Sequence, residues 1–119
     1  LRIMRLLKQN WIVGVAGDRD VTQSGMLVNF FGAPARLPAG PVQMALRTGE
    51  PLFVACGWRD EAARNGKFHA RILPPIALER SGDFQADVRR GMEQVAQRLE
   101  EMISAHPEQW LAFHKLWVD

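Results

Sequence analysis

The sequence has 119 residues, enough for one domain with a single buried core, and its 47% hydrophobic and 24% charged content excludes a disordered chain. Basic and acidic side chains number 15 and 13, and the resulting net charge of +2 is too small to indicate a nucleic-acid partner. Cys56 is the only cysteine, so an internal disulfide is excluded, and its apolar neighbours predict an inert, buried thiol.

The first third of the chain predicts a helix followed by two strands. Residues 1–9 place apolar and basic side chains at helical spacing. The run 11–16 is apolar and rich in β-branched residues, as in a buried strand, and the charged turn 17–20 follows it. Residues 26–31 predict a second strand, and the segment 33–40, rich in Pro and Ala, predicts a loop.

A short helix is predicted to begin at Gly40 and to end at Gly49, a typical C-terminal residue of helices. Residues 52–58 then predict another strand. The order strand, helix, strand favours a right-handed crossover between parallel strands.

The C-terminal half predicts three further elements. Residues 67–73 alternate like an edge strand, and residues 84–105 form an amphipathic helix with apolar side chains at steps of four and three. The aromatic-rich segment 108–117 predicts a helical tail. We therefore expect a single α/β domain over residues 1–119, with a mostly parallel sheet, flanking helices and a long C-terminal amphipathic helix.

Several motifs occur in one order and spacing over nearly the whole chain. They are VGVAGDRD at 13–20, FFGAP at 30–34, PAGP continuing into ALRTGEP at 38–51, and PEQWLAFH at 107–114. Together they resemble the bacterial lipid A biosynthesis acyltransferases, including the actinobacterial acyltransferases that modify phosphatidylinositol mannosides. The resemblance implies the C-terminal portion of a glycerolipid-acyltransferase-like fold at the cytoplasmic face of the bacterial inner membrane.

The resemblance also implies a reaction. Such enzymes move a fatty acyl group from acyl carrier protein or acyl-CoA to a hydroxyl of a membrane glycolipid, with no cofactor, metal or nucleic acid. A lipid A precursor and a phosphatidylinositol mannoside are both candidate acceptors, and the wording of the motifs favours the second. The family's catalytic His-x-x-x-x-Asp/Glu, in which the histidine is the general base, is expected before Leu1. The chain alone is therefore expected to be inactive.

The motif 13–20 supplies the best candidates for catalysis. By resemblance, Asp18 supports the absent histidine, Asp20 belongs to the same acidic block, and Arg19 binds a phosphate of donor or acceptor. The alternative is a solvated loop closed by an Asx turn. A literal His-x-x-x-x-Asp match from His114 to Asp119 is interpreted as a chance match.

Other candidate residues each have a structural alternative. Phe30 and Phe31 are candidates for the wall of an acyl channel, or for ordinary core packing. Gly40 lies at a helix N-terminus that attracts anions, but it is also a common helix start. Arg47 is a candidate for contact with a lipid phosphate, or a surface cation that complements the helix dipole.

A second function stays open at this point. A non-catalytic lipid- or phosphate-binding module would keep the same motifs without the catalytic histidine. The aromatic tail, with Trp110, Phe113 and Trp117, fits either a membrane interface or a segment packed on the core. The two functions differ in whether the native protein carries His-x-x-x-x-Asp/Glu upstream of the run 11–16.

Overall fold

The structure, a computed structural model, describes residues 2–20 and 24–118. Its elements are α1 (Arg2–Lys8), β1 (Met26–Phe30), β2 (Ala33–Leu37), α2 (Gly40–Thr48), β3 (Ala55–Arg59), β4 (Phe68–Ile72), α3 (Phe84–Ala105) and a 3-10 turn (Pro107–Gln109). The helices at 2–8, 40–48 and 84–105, and the strands at 26–30, 55–59 and 68–72, confirm predicted elements within a few residues.

The strands β1 and β2 form a tight antiparallel hairpin, although residues 33–40 were predicted as a loop. Phe30 pairs with Ala33, so only Phe31 and Gly32 make the turn. Both turn residues have positive φ, 50° and 82°, as in a type I′ turn whose twist matches the paired strands. The prediction was wrong because Phe-Gly lacks the Asn or Asp that usually marks this turn.

The helix α3 packs on the β1–β2 hairpin and supplies much of the core. Asp83 caps its N-terminus by accepting a hydrogen bond from the Ala86 N–H at 3.2 Å. The predicted apolar face is confirmed, since Val88 and Met92 are almost completely buried. A Cβ at Gly91 would lie 2.7 Å from Val42 of α2, so a glycine is required where the two helices approach.

The predicted parallel sheet is wrong for the described residues. They form two separate two-stranded antiparallel sheets, β1 with β2 and β3 with β4, and β1 does not pair with β3. Each strand pairs with its neighbour in sequence because a turn returns the chain at once. In the second hairpin that return is closed by the Asp60 N–H, which donates to the Lys67 carbonyl at 2.8 Å.

Two further segments differ from their predictions. The run 11–16 has no regular structure, and the side chain of Ile12 is 97% exposed, because no described strand lies beside this run to pair with it. The tail beyond the 3-10 turn is extended rather than helical. Its Trp117 pairs with Ala35, and the Val118 N–H donates to the Pro34 carbonyl at 3.0 Å, so the tail uses the free edge of β2.

Candidate functional site

A cleft of about 250 Å³ lies between β3 and the C-terminal end of α3. Its lining residues are Asp18, Cys56, Gly57, Trp58, Met102, Ile103, His106, Gln109, Trp110 and Leu111. The volume is slightly below that of pockets for drug-sized ligands, about 300 Å³ and more, so the cleft suits a small polar group or a narrow chain.

Asp18 is the predicted catalytic residue that the structure brings to this cleft. Its Oδ2 accepts a hydrogen bond of 2.8 Å from the indole Nε1 of Trp110, 92 positions later in the chain. The carboxylate is half-buried, and among residues 2–20 and 24–118 no other hydrogen-bond donor contacts its second oxygen. A carboxylate held in this way suits the orientation of an imidazole.

Gln109 fixes the position of Trp110. Its side-chain amide accepts from the Arg59 N–H and donates to the Arg59 carbonyl, both at 2.7 Å. The indole of Trp110 then packs edge-on against Phe30, with ring centroids 6.1 Å apart. The motif 107–114 therefore acts as a clamp that joins the end of α3 to β3 and supports Asp18.

Two histidines surround Trp58 beside the cleft. The imidazole of His106 stacks on the Trp58 indole at 4.6 Å, and that of His69 stacks at 5.5 Å. His69 also contacts Asp60 at 3.3 Å, and this hydrogen bond is the main cause that holds the pKa of the Asp60 carboxyl below its usual value. His69 is exposed, and His106 immediately precedes the motif 107–114 but was not predicted as a site residue.

The other members of the acidic block lie outside the cleft lining. Asp20 accepts a hydrogen bond from the Gly25 N–H at 2.8 Å and so stabilises the chain that enters β1. A Cβ at Gly25 would lie 2.7 Å from the Asp20 carboxylate and 2.6 Å from the Leu37 carbonyl oxygen, which explains the glycine. Arg19 is exposed. Catalysis by Asp20 and phosphate binding by Arg19 stay predictions.

The phenylalanine pair has one buried and one exposed member. Phe30 is fully buried, and its ring stacks on that of Trp117 at 6.0 Å. Trp117 also donates its Nε1 hydrogen to the Phe30 carbonyl at 2.8 Å. Phe31 is 42% exposed at the hairpin turn, where its N–H donates to Glu100 at 2.7 Å. Core packing therefore explains why a phenylalanine occupies position 30. The acyl-channel role of both residues stays a prediction.

Gly40 and Arg47 belong to α2 and do not line the cleft. The helix starts at Gly40 without a side-chain cap, since the preceding residue is Ala39. The guanidinium of Arg47 lies 5.1 Å from the centre of the Phe84 ring, a cation–π contact that joins α2 to α3. Their contacts with substrate stay predictions.

Cys56 also lines the cleft, and it is half-buried rather than fully buried as predicted. Its thiol lies 3.7 Å from the Gly57 carbonyl oxygen. Within residues 2–20 and 24–118, no group of three or more His, Cys, Asp or Glu side chains is arranged to hold a metal ion.

Comparison with known proteins places the whole cleft inside one matched region. The model of a family described as bacterial lipid A biosynthesis acyltransferase matches residues 2–119. A phosphatidylinositol mannoside acyltransferase of Mycobacterium tuberculosis (strain H37Rv) is 32% identical over 112 residues, which cover 94% of this chain and 33% of that protein. Its counterpart in Mycolicibacterium smegmatis is 30% identical, with 94% and 34% covered. The chain thus spans about a third of the length of these relatives.

Proposed function

Since the chain belongs to the bacterial lipid A biosynthesis acyltransferase family, we propose that it is part of an enzyme that acylates a membrane glycolipid. The donor is an acyl thioester, carried by acyl carrier protein or coenzyme A. The acceptor is a hydroxyl of a phosphatidylinositol mannoside rather than of a lipid A precursor. This choice is supported by the relatives, which are named phosphatidylinositol mannoside acyltransferases.

The observation that carries this proposal is the hydrogen bond between Asp18 and Trp110 in the cleft. The second carboxylate oxygen, which contacts no other donor among the described residues, then accepts the N–H of an imidazole and so fixes the tautomer of the ring. The imidazole then removes the proton of the acceptor hydroxyl while the oxygen attacks the thioester carbonyl. Collapse of the tetrahedral intermediate releases the thiolate, which takes up the proton.

The histidine in this scheme is proposed to come from a His-x-x-x-x-Asp/Glu segment outside residues 1–119. His106 lines the cleft too, but its ring is stacked on Trp58 and lies 3.8 Å from Glu108, an arrangement suited to packing. His106 is therefore assigned a structural role, and its replacement by alanine is a direct check of that assignment.

Contact with the cytoplasmic face of the inner membrane is part of the proposal. Among the described residues, no helix is long and apolar enough to span a bilayer. The side chains of Phe113 and Leu111 are 86% and 66% exposed in the tail that follows the cleft. Exposed aromatic and aliphatic side chains of this kind favour the membrane interface, which would bring the glycolipid to Asp18.

The test compares two forms of the protein, the 119-residue chain and the product of the longest open reading frame that encodes it. Each is incubated with a radiolabelled long-chain acyl-CoA, or the acyl carrier protein thioester, and a phosphatidylinositol mannoside in mixed micelles. We expect acylated glycolipid only with the longer form. Lipid binding without acyl transfer by both forms would instead support a non-catalytic lipid-binding module. Transfer by the chain alone, abolished by His106→Ala, would move the base to His106.

A further inference from the structure

The outer edge of β3 presents backbone hydrogen-bonding groups to the cleft. On the inner side, the Val54 carbonyl accepts from the Leu73 N–H at 3.0 Å, and the Asp60 N–H donates to Lys67 at 2.8 Å. In an antiparallel pair, the backbone N–H and C=O groups of successive residues point alternately toward and away from the partner strand. Val54 and Asp60 point toward β4, so those of Gly57 and Arg59 point away from it. That side is the one on which the cleft lies.

At Arg59, the outward backbone groups of this edge are already hydrogen-bonded to a side-chain amide. The side chain of Gln109 bonds both backbone groups of Arg59 at 2.7 Å, as a residue of an added strand would. Gly57 offers the same donor and acceptor two residues earlier, about 6.8 Å along the edge. Within the described part of the chain, no backbone segment bonds these Gly57 groups, and the carbonyl oxygen accepts only a weak hydrogen bond of 3.7 Å from the Cys56 thiol, which leaves its second lone pair.

The surroundings of Gly57 limit what can bind there. A glycine leaves the edge unshielded, which allows close approach of a ligand backbone. Met102, Ile103 and Leu111 give the cleft apolar walls, and the Asp18 carboxylate disfavours an anionic group while accepting an N–H. A narrow, uncharged chain that carries amides fits these conditions, whereas a phosphate does not.

We propose that the outer edge of β3 at Gly57 binds the pantetheine arm of the acyl thioester as an added strand. The first pantetheine amide donates its N–H to the Gly57 carbonyl, and the carbonyl of the second amide accepts from the Gly57 N–H, which continues the row that Gln109 begins at Arg59. The thioester end of the arm then lies in the cleft beside Asp18. The inference rests on the proposed function in that the donor is a thioester, and it applies to both carriers because coenzyme A and acyl carrier protein share this arm.

The binding test uses the 119-residue chain, uniformly labelled with nitrogen-15, and D-pantetheine as the probe. We expect the backbone amide signal of Gly57 to shift as pantetheine is added. D-pantothenate, which has a carboxylate where pantetheine has its second amide, should bind more weakly because of Asp18. Shifts confined to residues away from β3 and the cleft would overturn the inference.

A matched pair of proline variants isolates the edge. Gly57→Pro removes the outward N–H, and a missing donor is tolerated where an edge strand faces away from its partner. Ala70→Pro removes the corresponding outward N–H of β4, since Ala70 pairs with Gly57 on the opposite side of the same hairpin. Gly57→Pro should weaken pantetheine binding about fivefold, the equivalent of one hydrogen bond, and Ala70→Pro should leave it unchanged. Equal affinity of both variants and the wild type would overturn the inference.

Kinetics in the longer form separate this inference from the proposed function. Gly57→Pro should raise the KM for acyl-CoA, and for the acyl carrier protein thioester, about fivefold. An unchanged KM with both donors would overturn the pantetheine site while acyl transfer stood. Pantetheine binding at Gly57 in a protein without acyl transfer would refute the proposed function alone.

Discussion

The side-chain amide of Gln109 forms two hydrogen bonds of 2.7 Å with the backbone of Arg59, 50 positions earlier in the chain. This contact fastens the end of α3 to the edge of β3. The next residue, Trp110, reaches Asp18. The clamp formed by the motif 107–114 therefore both stabilises the fold and positions Asp18.

Gln109→Ala should remove both bonds and leave the Arg59 backbone groups to water. We expect a loss of about 1–2 kcal/mol in the free energy of unfolding, measured by urea titration. Gln94→Ala is the control, because Gln94, on α3, is likewise half-buried and its side-chain amide donates to a backbone carbonyl, that of Ala77, at 2.9 Å. An equal or smaller loss for Gln109→Ala than for the control would show that the clamp does not hold the cleft.

Trp110→Phe should keep the aromatic packing but release the Asp18 carboxylate. If Asp18 acts through its orientation, kcat for acyl transfer by the longer form should fall about fivefold, the equivalent of one hydrogen bond. Trp117→Phe is the matched control, since it also deletes an indole N–H bonded at 2.8 Å, but to the Phe30 carbonyl away from the cleft. Equal losses of kcat in the two variants would contradict a role of the Trp110 hydrogen bond in orienting Asp18.

Gly32→Ala tests the turn between β1 and β2. Gly32 has φ of 82° and open space around its Cβ position, so the cost is conformational rather than steric. We expect a loss of about 1–2 kcal/mol in the free energy of unfolding. Gly40→Ala, also in open space but without a positive φ at the start of α2, should be close to neutral. Similar urea midpoints for both variants would contradict the type I′ turn.

Acid sensitivity should arise in part from Asp87 at the start of α3. The hydrogen bond from Ser81, with a further contribution from Arg90, holds the pKa of the Asp87 carboxyl below its ordinary value of 3.8. A folded-state pKa below the unfolded one stabilises the protein above the unfolded value. That contribution is lost as the pH falls below 3.8 and through the folded pKa.

The Asp87 prediction is measured as urea stability between pH 6 and pH 2, in buffers about one pH unit apart. Asp87→Asn should flatten the decline below pH 3.8 relative to the wild type. Glu93→Gln, at an exposed position of α3, should leave the decline as it is. If the stability of Asp87→Asn declined with pH as steeply as that of the wild type, Asp87 would not be a cause of the acid sensitivity.

The sequence predicts elements whose signals are local. The limits of α3 were predicted correctly because apolar spacing, the Asp83 cap and Pro107 all act within a few residues. The extended tail was not, because it pairs with the edge of β2, far earlier in the chain. The antiparallel pairing of β1 and β2 was not, because the Phe31-Gly32 turn lacks the usual Asn or Asp. The run 11–16 has a buried-strand pattern, yet a strand requires a partner, and no described strand pairs with this run.

In the candidate site, too, residues with a local sequence signal were predicted and contacts between distant residues were not. Asp18 was predicted from its motif at the end of an apolar run, and the structure does bring it to a cleft. Its contact with Trp110 could not be predicted from spacing, since it joins residues 92 positions apart. His106 was missed because a single histidine at a helix end has no periodic or local signal.

The assignment of Asp18 to catalysis is tested most directly by the Asp18→Asn variant in the longer form of the protein. Asparagine keeps the size of the side chain and removes the charge that stabilises a protonated imidazole. We expect kcat for glycolipid acylation to fall about 100-fold or more, with the urea midpoint unchanged and with Glu93→Gln as an active control. A folded Asp18→Asn enzyme with wild-type kcat would contradict the assignment of Asp18 to catalysis.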